Sequence, residues 1–174
     1  MAKIIYKEGH EGENKLSSIE GIEIDLFNGQ KALIYPKYAQ RRMLDLEQMR
    51  KWSAKNETEI EALKVEDIDE NTVELFKIGS PAAKWALQFV TEKNMQFRLP
   101  SLLAALEIQH QKAEIDTLAE TIEGADLLKD STSYIWSCSR YLKDSCWCVN
   151  SNNGYASVDY LSSSCLVVPT ILYR

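Results

Sequence analysis

The chain has 174 residues with 20 Lys and Arg against 26 Asp and Glu, a formal net charge of −6. That length suits one ordinary domain with a sizeable core, and an acidic chain without a basic stripe is a poor expected partner for nucleic acid. No apolar run is long enough to span a bilayer and MAKIIYKEGHEGENK lacks an apolar signal core, so synthesis in a reducing cytoplasm without membrane insertion is expected, with later virion or surface association left open.

Residues 1–19 mix Lys, Glu, Gly and Ser and read as a loose N-terminal arm, with a short strand at Lys3 to Tyr6; residues 20–174 read as a single domain. Ile22, Ile24 and Leu26 alternate before Asn28-Gly29, and Ala32, Ile34 and Tyr35 follow. This predicts a hairpin whose turn takes positive φ at both central residues. Residues 39–53 read as a helix with Met43, Leu46 and either Met49 or Arg50 along one side.

Residues 55–75 hold eight acids, and from Asn56 to Asn71 they read as a solvated face. A calcium loop is the sharper alternative, but VEDIDENT lacks the glycine and oxygen-ligand spacing that loop needs. Val73 to Ile78 then alternates like a short strand. Ser80 as cap and Pro81 at the first position start a helix whose stripe is Ala82, Trp85, Ala86 and Phe89, ending near Asn94. Phe97-Arg98-Leu99-Pro100 halts the chain, Ser101 caps the next helix with Leu102, Leu103 and Leu106 inward, and Ile115, Leu118, Ala119 and Ile122 mark another that Gly124 closes.

From Ser131 to Arg174 the composition changes: ten of the fifteen serines, five of the eight tyrosines and all four cysteines lie here, and no glutamate occurs after Glu123. Tyr, Trp, Ser, Asn and Gly are the palette of a recognition surface, because rings give contact area at low entropic cost while small polar groups adapt their hydrogen bonds. Strands are expected at Tyr134 to Ser137, Cys146 to Asn150, Tyr155 to Tyr160 and Cys165 to Leu172, with a hairpin turn at Ser151-Asn152-Asn153-Gly154. Four cysteines allow three pairings, but without an export signal free thiols are the default, and their spacing fits no common zinc pattern. No metal or cofactor is therefore expected.

Arg98-Leu99-Pro100 before a leucine-rich helix, a second helix, Tyr134-Ile135-Trp136-Ser137, Trp147-Cys148-Val149-Asn150, Asn153-Gly154 and Val167-Val168-Pro169 occur in an order that resembles the bacterial and phage branch of the C-type lectin-like fold. The resemblance covers roughly residues 80–173 and is similar in particular to the variable proteins of diversity-generating retroelements. It implies an α+β domain with two or three helices and short, mostly antiparallel strands, and a variable, ligand-binding region within residues 131–174. It also implies Trp136, Trp147, Val149, Val167 and Pro169 as scaffold. Val168 departs from relatives that often carry Arg there.

In such systems, mutation at the adenines of asparagine-type codons reaches Ser, Cys, Tyr, Asp, Arg, Leu and Asn. Cys138, Arg140, Leu142, Asp144, Cys146 and Cys148 all fall in that set. With Trp147 and Val149 placed inward, alternation turns Cys146 and Cys148 outward. The expected ligand-binding set is thus Cys138, Arg140, Leu142, Asp144, Cys146, Cys148, Tyr155, Ser157, Asp159 and Tyr160, facing a protein or glycan. No catalytic residue is assigned, since His10 and His110 lie in no nucleophile motif and G-x-S-x-G, phosphate-loop and H-E-x-x-H patterns are missing. Two other readings stay open: a formylglycine-generating type of enzyme, which shares the fold but has a Gly-Gly-Ser-Trp-like stretch missing here, and a phage or surface assembly subunit forming a homo-oligomer through its C-terminal region, where Leu142, Tyr160, Leu161 and Leu166 would suit the contact.

Overall fold

Alternating apolar residues in the first third become β2 (Ile19–Asp25) and β3 (Lys31–Ile34), paired antiparallel with Ile22 opposite Ile34 and Ile24 opposite Ala32. The computed structural model describes residues 1–53, 68–142 and 144–173. The hairpin loop is wider than expected. Gly29 alone takes positive φ, at 79°, while Asn28 accepts the Gln30 N–H through its side chain and the Leu26 N–H reaches the Gln30 carbonyl. The asparagine thus serves as a side-chain acceptor in the loop, without adopting a left-handed backbone.

β1 (Lys3–Tyr6) pairs with β2, and β9 (Thr170–Tyr173) pairs with β3, giving a four-stranded antiparallel sheet in the order β1-β2-β3-β9. Within residues 1–19 the strand expected at Lys3 to Tyr6 is present, as an edge strand of this sheet, and further along the Leu16 N–H binds the Glu123 carbonyl. One carboxylate ties the whole sheet together: Glu23 of β2 accepts from Lys31 Nζ (2.7 Å), contacts Lys3 Nζ (3.1 Å) and accepts the Tyr173 hydroxyl, so that all four strands meet on it.

Burial raises the Glu23 pKa, but the hydrogen bonds from Lys31, Tyr173 and Lys3 outweigh it and hold the group at about 2 instead of the ordinary 4.5. A depressed pKa stabilises the fold fully above the unfolded value and progressively less as pH falls through the folded one. We expect about 2 kcal/mol of stability to disappear between pH 4.5 and 2. Denaturant titrations of Glu23→Gln should lack that component of acid sensitivity, and an unchanged slope there would refute the assignment.

A second sheet contains β4 (Ala39–Arg42), β5 (Tyr134–Leu142), β6 (Ser145–Asn150), β7 (Ala156–Tyr160) and β8 (Ser164–Val167) in the order β4-β8-β5-β6-β7. Its strands pair antiparallel except where β5 meets β8 at Ile135 and Leu166. The last predicted strand, Cys165 to Leu172, is two strands, because Val168-Pro169 breaks the ladder and sends β9 across to the first sheet.

Five α-helices occur among the described residues: α1 (Leu46–Ser53), α2 (Ile68–Lys77), α3 (Pro81–Leu87), α4 (Leu102–His110) and α5 (Lys112–Ala119). The α+β class holds, with more helices than the two or three expected. Ser80 and Ser101 cap α3 and α4 as read, accepting from Ala83 and Ala104 N–H at 3.1 Å each. Three local readings are corrected. Residues 39–42 are an edge strand before α1, α3 stops at Leu87 well short of Asn94, and Val73 to Ile78 belongs mostly to α2. The buried positions Ile68, Thr72 and Leu75 of α2 recur at i, i+4 and i+7, a helical stripe that begins inside the acidic run. Residues 56–67 of that run, including the start of the VEDIDENT stretch, lie outside the described residues. No helix among those described is long and apolar enough to cross a membrane.

Both faces of the second sheet are covered over its middle strands. On one side Ile135, Val149, Leu166 and Val168 join Ile22, Ile24 and Ile34 of the first sheet and Ala104, Ile108 and Ile115 of α4 and α5. On the other, Trp136, Val167 and all four cysteines join Met43, Leu44, Ile68, Leu75, Ala82, Ala83 and Ala86. Val168 is fully buried among aliphatic side chains, so an Arg would have no place there without rearrangement.

Candidate ligand-recognition face

The site is built on a bulge in β5. The register with β6 shifts between Trp136 and Arg140, and the residues of the shift are hydrogen-bonded inward: Ser137 Oγ donates to the Trp147 carbonyl (2.7 Å), Ser139 Oγ accepts the Leu102 N–H (3.0 Å), and Cys138 N–H donates to the Pro100 carbonyl (2.8 Å). The bulged strand is thus locked to the Leu99-Pro100-Ser101 corner and to the start of α4. Beyond the bulge β5 runs outward, where Tyr141 and Leu142 are exposed.

Trp136 and Trp147 take different roles. Trp136 is completely buried and its indole N–H donates to the Arg41 carbonyl at 2.8 Å, which ties β5 to the edge strand β4. Trp147 is half-buried on the same face as Val149 and meets the Tyr141 ring edge-on, centroids 5.0 Å apart at 75°. Opposite it in register is Val158, and two residues along β7 is Tyr160. Tyr141, Trp147, Val158 and Tyr160 therefore form an open aromatic and aliphatic strip at the end of the sheet.

A shallow concavity of about 360 Å³ lies here, lined by Tyr141, Leu142, Asp144, Ser145, Val158, Asp159 and Tyr160. Leu142 is 55% exposed, Tyr160 61% and Tyr155, after the Gly154 turn, 73%. Leu142 and Tyr160 meet at this end of the sheet, whereas Tyr155 stands by the Asn150 turn at the other end of β7. Large exposed side chains brought together as Leu142, Tyr141 and Tyr160 are mark a surface suited to association. Asp144 is half-exposed at its rim.

Four of the ten residues expected in the site line this concavity, Leu142, Asp144, Asp159 and Tyr160, while Tyr155 and Ser157 lie further along β7. Ser157 and Asp159 are half-buried on the opposite face of β7, where Asp159 accepts from Ser163 Oγ (2.6 Å) and Cys165 Sγ (3.7 Å). Arg140, 9% exposed, is folded back with Nε donating to the Leu142 carbonyl at 2.8 Å, in register with Cys146.

The three cysteines of the set are elsewhere altogether. Cys138, Cys146 and Cys148 are fully buried in the core shared with Trp136, Met43 and Leu75, which corrects their expected outward placement. Trp147 faces the open strip and the small thiols face the core, the reverse of what side-chain size implied. All four cysteines are free. Burial pushes the thiols of Cys146 and Cys148 up to about 12, and that of Cys165 up as well with Asp159 beside it, which disfavours the thiolate of these three at neutral pH.

Tyr141 and Val158 were missed by the sequence reading. The signal for Val158 was its place between Tyr160 and Ala156 in a five-residue strand whose exposed positions alternate. Among the described residues no group of three or more His, Cys, Asp and Glu side chains is placed to hold a metal ion. His10 pairs with Glu13 and His110 packs near Phe27, each through contacts away from this face. Comparison with protein-family models, with curated proteins and with solved structures finds no match.

Proposed function

We propose that this chain is a ligand-recognition protein on a C-type lectin-like scaffold, binding a protein or glycan through the Tyr141, Leu142 and Tyr160 surface, with Tyr155 extending it along β7, without performing chemistry on it. The observation that carries the reading is the contrast between a fully buried, hydrogen-bonded Trp136 frame and the large exposed side chains immediately beyond the β5 bulge. Tyrosines on a fixed sheet lose little entropy when a partner covers them, and so convert contact area into affinity efficiently.

The fold assignment is supported by β9 returning to β3 beside the N-terminal strands and by the two successive helices α4 and α5 that precede the five-stranded sheet's last strands. Retroelement diversification of this surface is part of the same proposal, and the positions free to vary narrow to those outside the core, with Leu142, Asp144, Tyr155 and Tyr160 foremost. Catalysis by cysteine finds no support in thiols that are buried and hard to ionise.

The test is a variant combining Tyr141→Ala, Leu142→Ala, Tyr155→Ala and Tyr160→Ala, assayed on a glycan array and a displayed peptide library beside the wild type. The wild type should give saturable binding that the variant loses by at least tenfold, while the melting temperature moves by only a few degrees, about. Equal binding by both proteins, or collapse of the fold in the variant, refutes the recognition surface. For diversification, the genomic DNA should carry a neighbouring reverse-transcriptase gene and a near-identical copy of the 3′ segment differing at adenines.

A further inference from the structure

The open edge of the second sheet points to a specific partner. β7 is the last strand in the order β4-β8-β5-β6-β7, and among the described residues no strand pairs with its outer side. Which backbone groups it presents follows from the ladder. Asn150 N–H donates to the Tyr155 carbonyl (3.0 Å) at one end and Leu161 N–H to the Asp144 carbonyl (2.8 Å) at the other. With Cys148 opposite Ser157 and Cys146 opposite Asp159 between these, Ser157 and Asp159 bond toward β6, while Ala156, Val158 and Tyr160 turn their N–H and C=O groups outward.

Edge strands are usually blunted by Lys, Pro, a bulge or a covering segment. β7 has the sequence Ala-Ser-Val-Asp-Tyr, without Lys or Pro, and its register with β6 is unshifted. Instead it complements itself. In an antiparallel pairing centred on Val158, the two valines exchange both main-chain hydrogen bonds on the two-fold axis, and Ala156 lies beneath Tyr160 of the second copy, small against large. On the opposite face Ser157 is placed across from Asp159 of the second copy. The single charge of the strand therefore meets a hydroxyl and never its own image, which in-register repulsion would otherwise forbid. The Tyr160 N–H is held by Asp159 Oδ1 at 2.8 Å and need not be released for the central pair to form.

We propose that a second copy of this chain occupies the β7 edge, making a closed two-fold dimer with one sheet running through both subunits. The pairing uses the main-chain edge of the sheet and sets Tyr160, which also lines the recognition concavity, against Ala156 of the second copy, while Tyr141 and Leu142 stay clear of the seam, so dimerisation is read by sedimentation without any ligand.

Sedimentation of the full chain from about 1 to about 300 μM tests it, with dimer as the only larger species because two edges that cap each other end the growth. Val158→Pro removes an N–H that faces away from β6, so the monomer should keep its circular dichroism and melting temperature while the dimer dissociation constant rises at least about tenfold. Val158→Lys, which opposes like charges on the axis, should do the same by another route, and Leu142→Lys should leave the dimer intact. A wild type that is monomeric throughout, including one whose edge binds an added strand peptide instead, overturns the proposal. So does a dimer unaffected by both Val158 changes, or a series of larger oligomers.

Discussion

Trp136→Ala should destabilise the protein by about 3–5 kcal/mol, the largest loss expected from any single truncation on the sheet. The indole is completely buried in the cluster that joins β5, β8, α2 and α3, and its N–H holds the Arg41 carbonyl of the edge strand β4. Removing it leaves a void the size of the ring system and an orphaned carbonyl. β4 is otherwise held by its pairing with β8 and by Arg41, whose guanidinium lies over the Trp85 ring of α3 at 4.8 Å from the centroid. Trp136→Phe, which keeps most of the apolar area but not the donor, should lose about 1–2 kcal/mol. Urea unfolding of the two variants separates burial from the hydrogen bond. A loss below about 1 kcal/mol for Trp136→Ala would mean that the ring is not the frame of the sheet. The matched change Trp147→Ala should cost less, because that ring is half-exposed and faces Tyr141 across the open strip.

The pair of tryptophans also shows how far the sequence could be read. Local chemistry was legible where it acts within a few residues: Ser80-Pro81 and Ser101 cap helices, Gly29 and Gly154 turn hairpins, and Phe97 to Pro100 stops the chain before α4. These devices operate through the nearest backbone groups and leave a direct trace. What failed was the assignment of faces. Strand alternation says only that Trp147 and Cys148 point to opposite sides, and a sheet covered on one side would then send the larger ring inward. This sheet is covered on both sides, by α4, α5 and the first sheet against Val149, and by α2, α3 and the Met43-Leu44 segment against Cys148. The tight space beneath the helices suits a small thiol, and cysteine is among the residue types most often buried, a tendency that outweighed ring size here. α2 was misread for a related reason: the polar residues Asn71 and Thr72 are buried in its stripe, where they bond the Cys138 carbonyl and the Leu99 N–H, so the inward face does not look apolar.

Placing Asp at Cys148 should therefore cost several kcal/mol, whereas placing Asp at Leu142 should change stability by about 0.5 kcal/mol or less. Both substitutions are among those that adenine-directed mutation could produce, so the comparison asks which positions such variation can use. Cys148 is fully buried, and the environment that already raises its thiol, burial first and the Asp159 carboxylate second, would act on a new carboxylate in the same direction. Leu142 is more than half exposed at the end of β5, where a charge stays in water. Cys148→Ser provides the control: it keeps the volume, and should lose about 1–3 kcal/mol if its hydroxyl finds no acceptor. Thermal and urea unfolding give the ranking, and a thiol reagent applied to the native wild type should label the four cysteines only as fast as the structure opens. Equal stability of the two Asp variants, or immediate labelling of Cys148, would return the cysteines to the surface and restore them to the recognition set. The ranking expected here separates a frame that tolerates no charge from residues beyond the bulge that do, which is what the proposed variable surface requires.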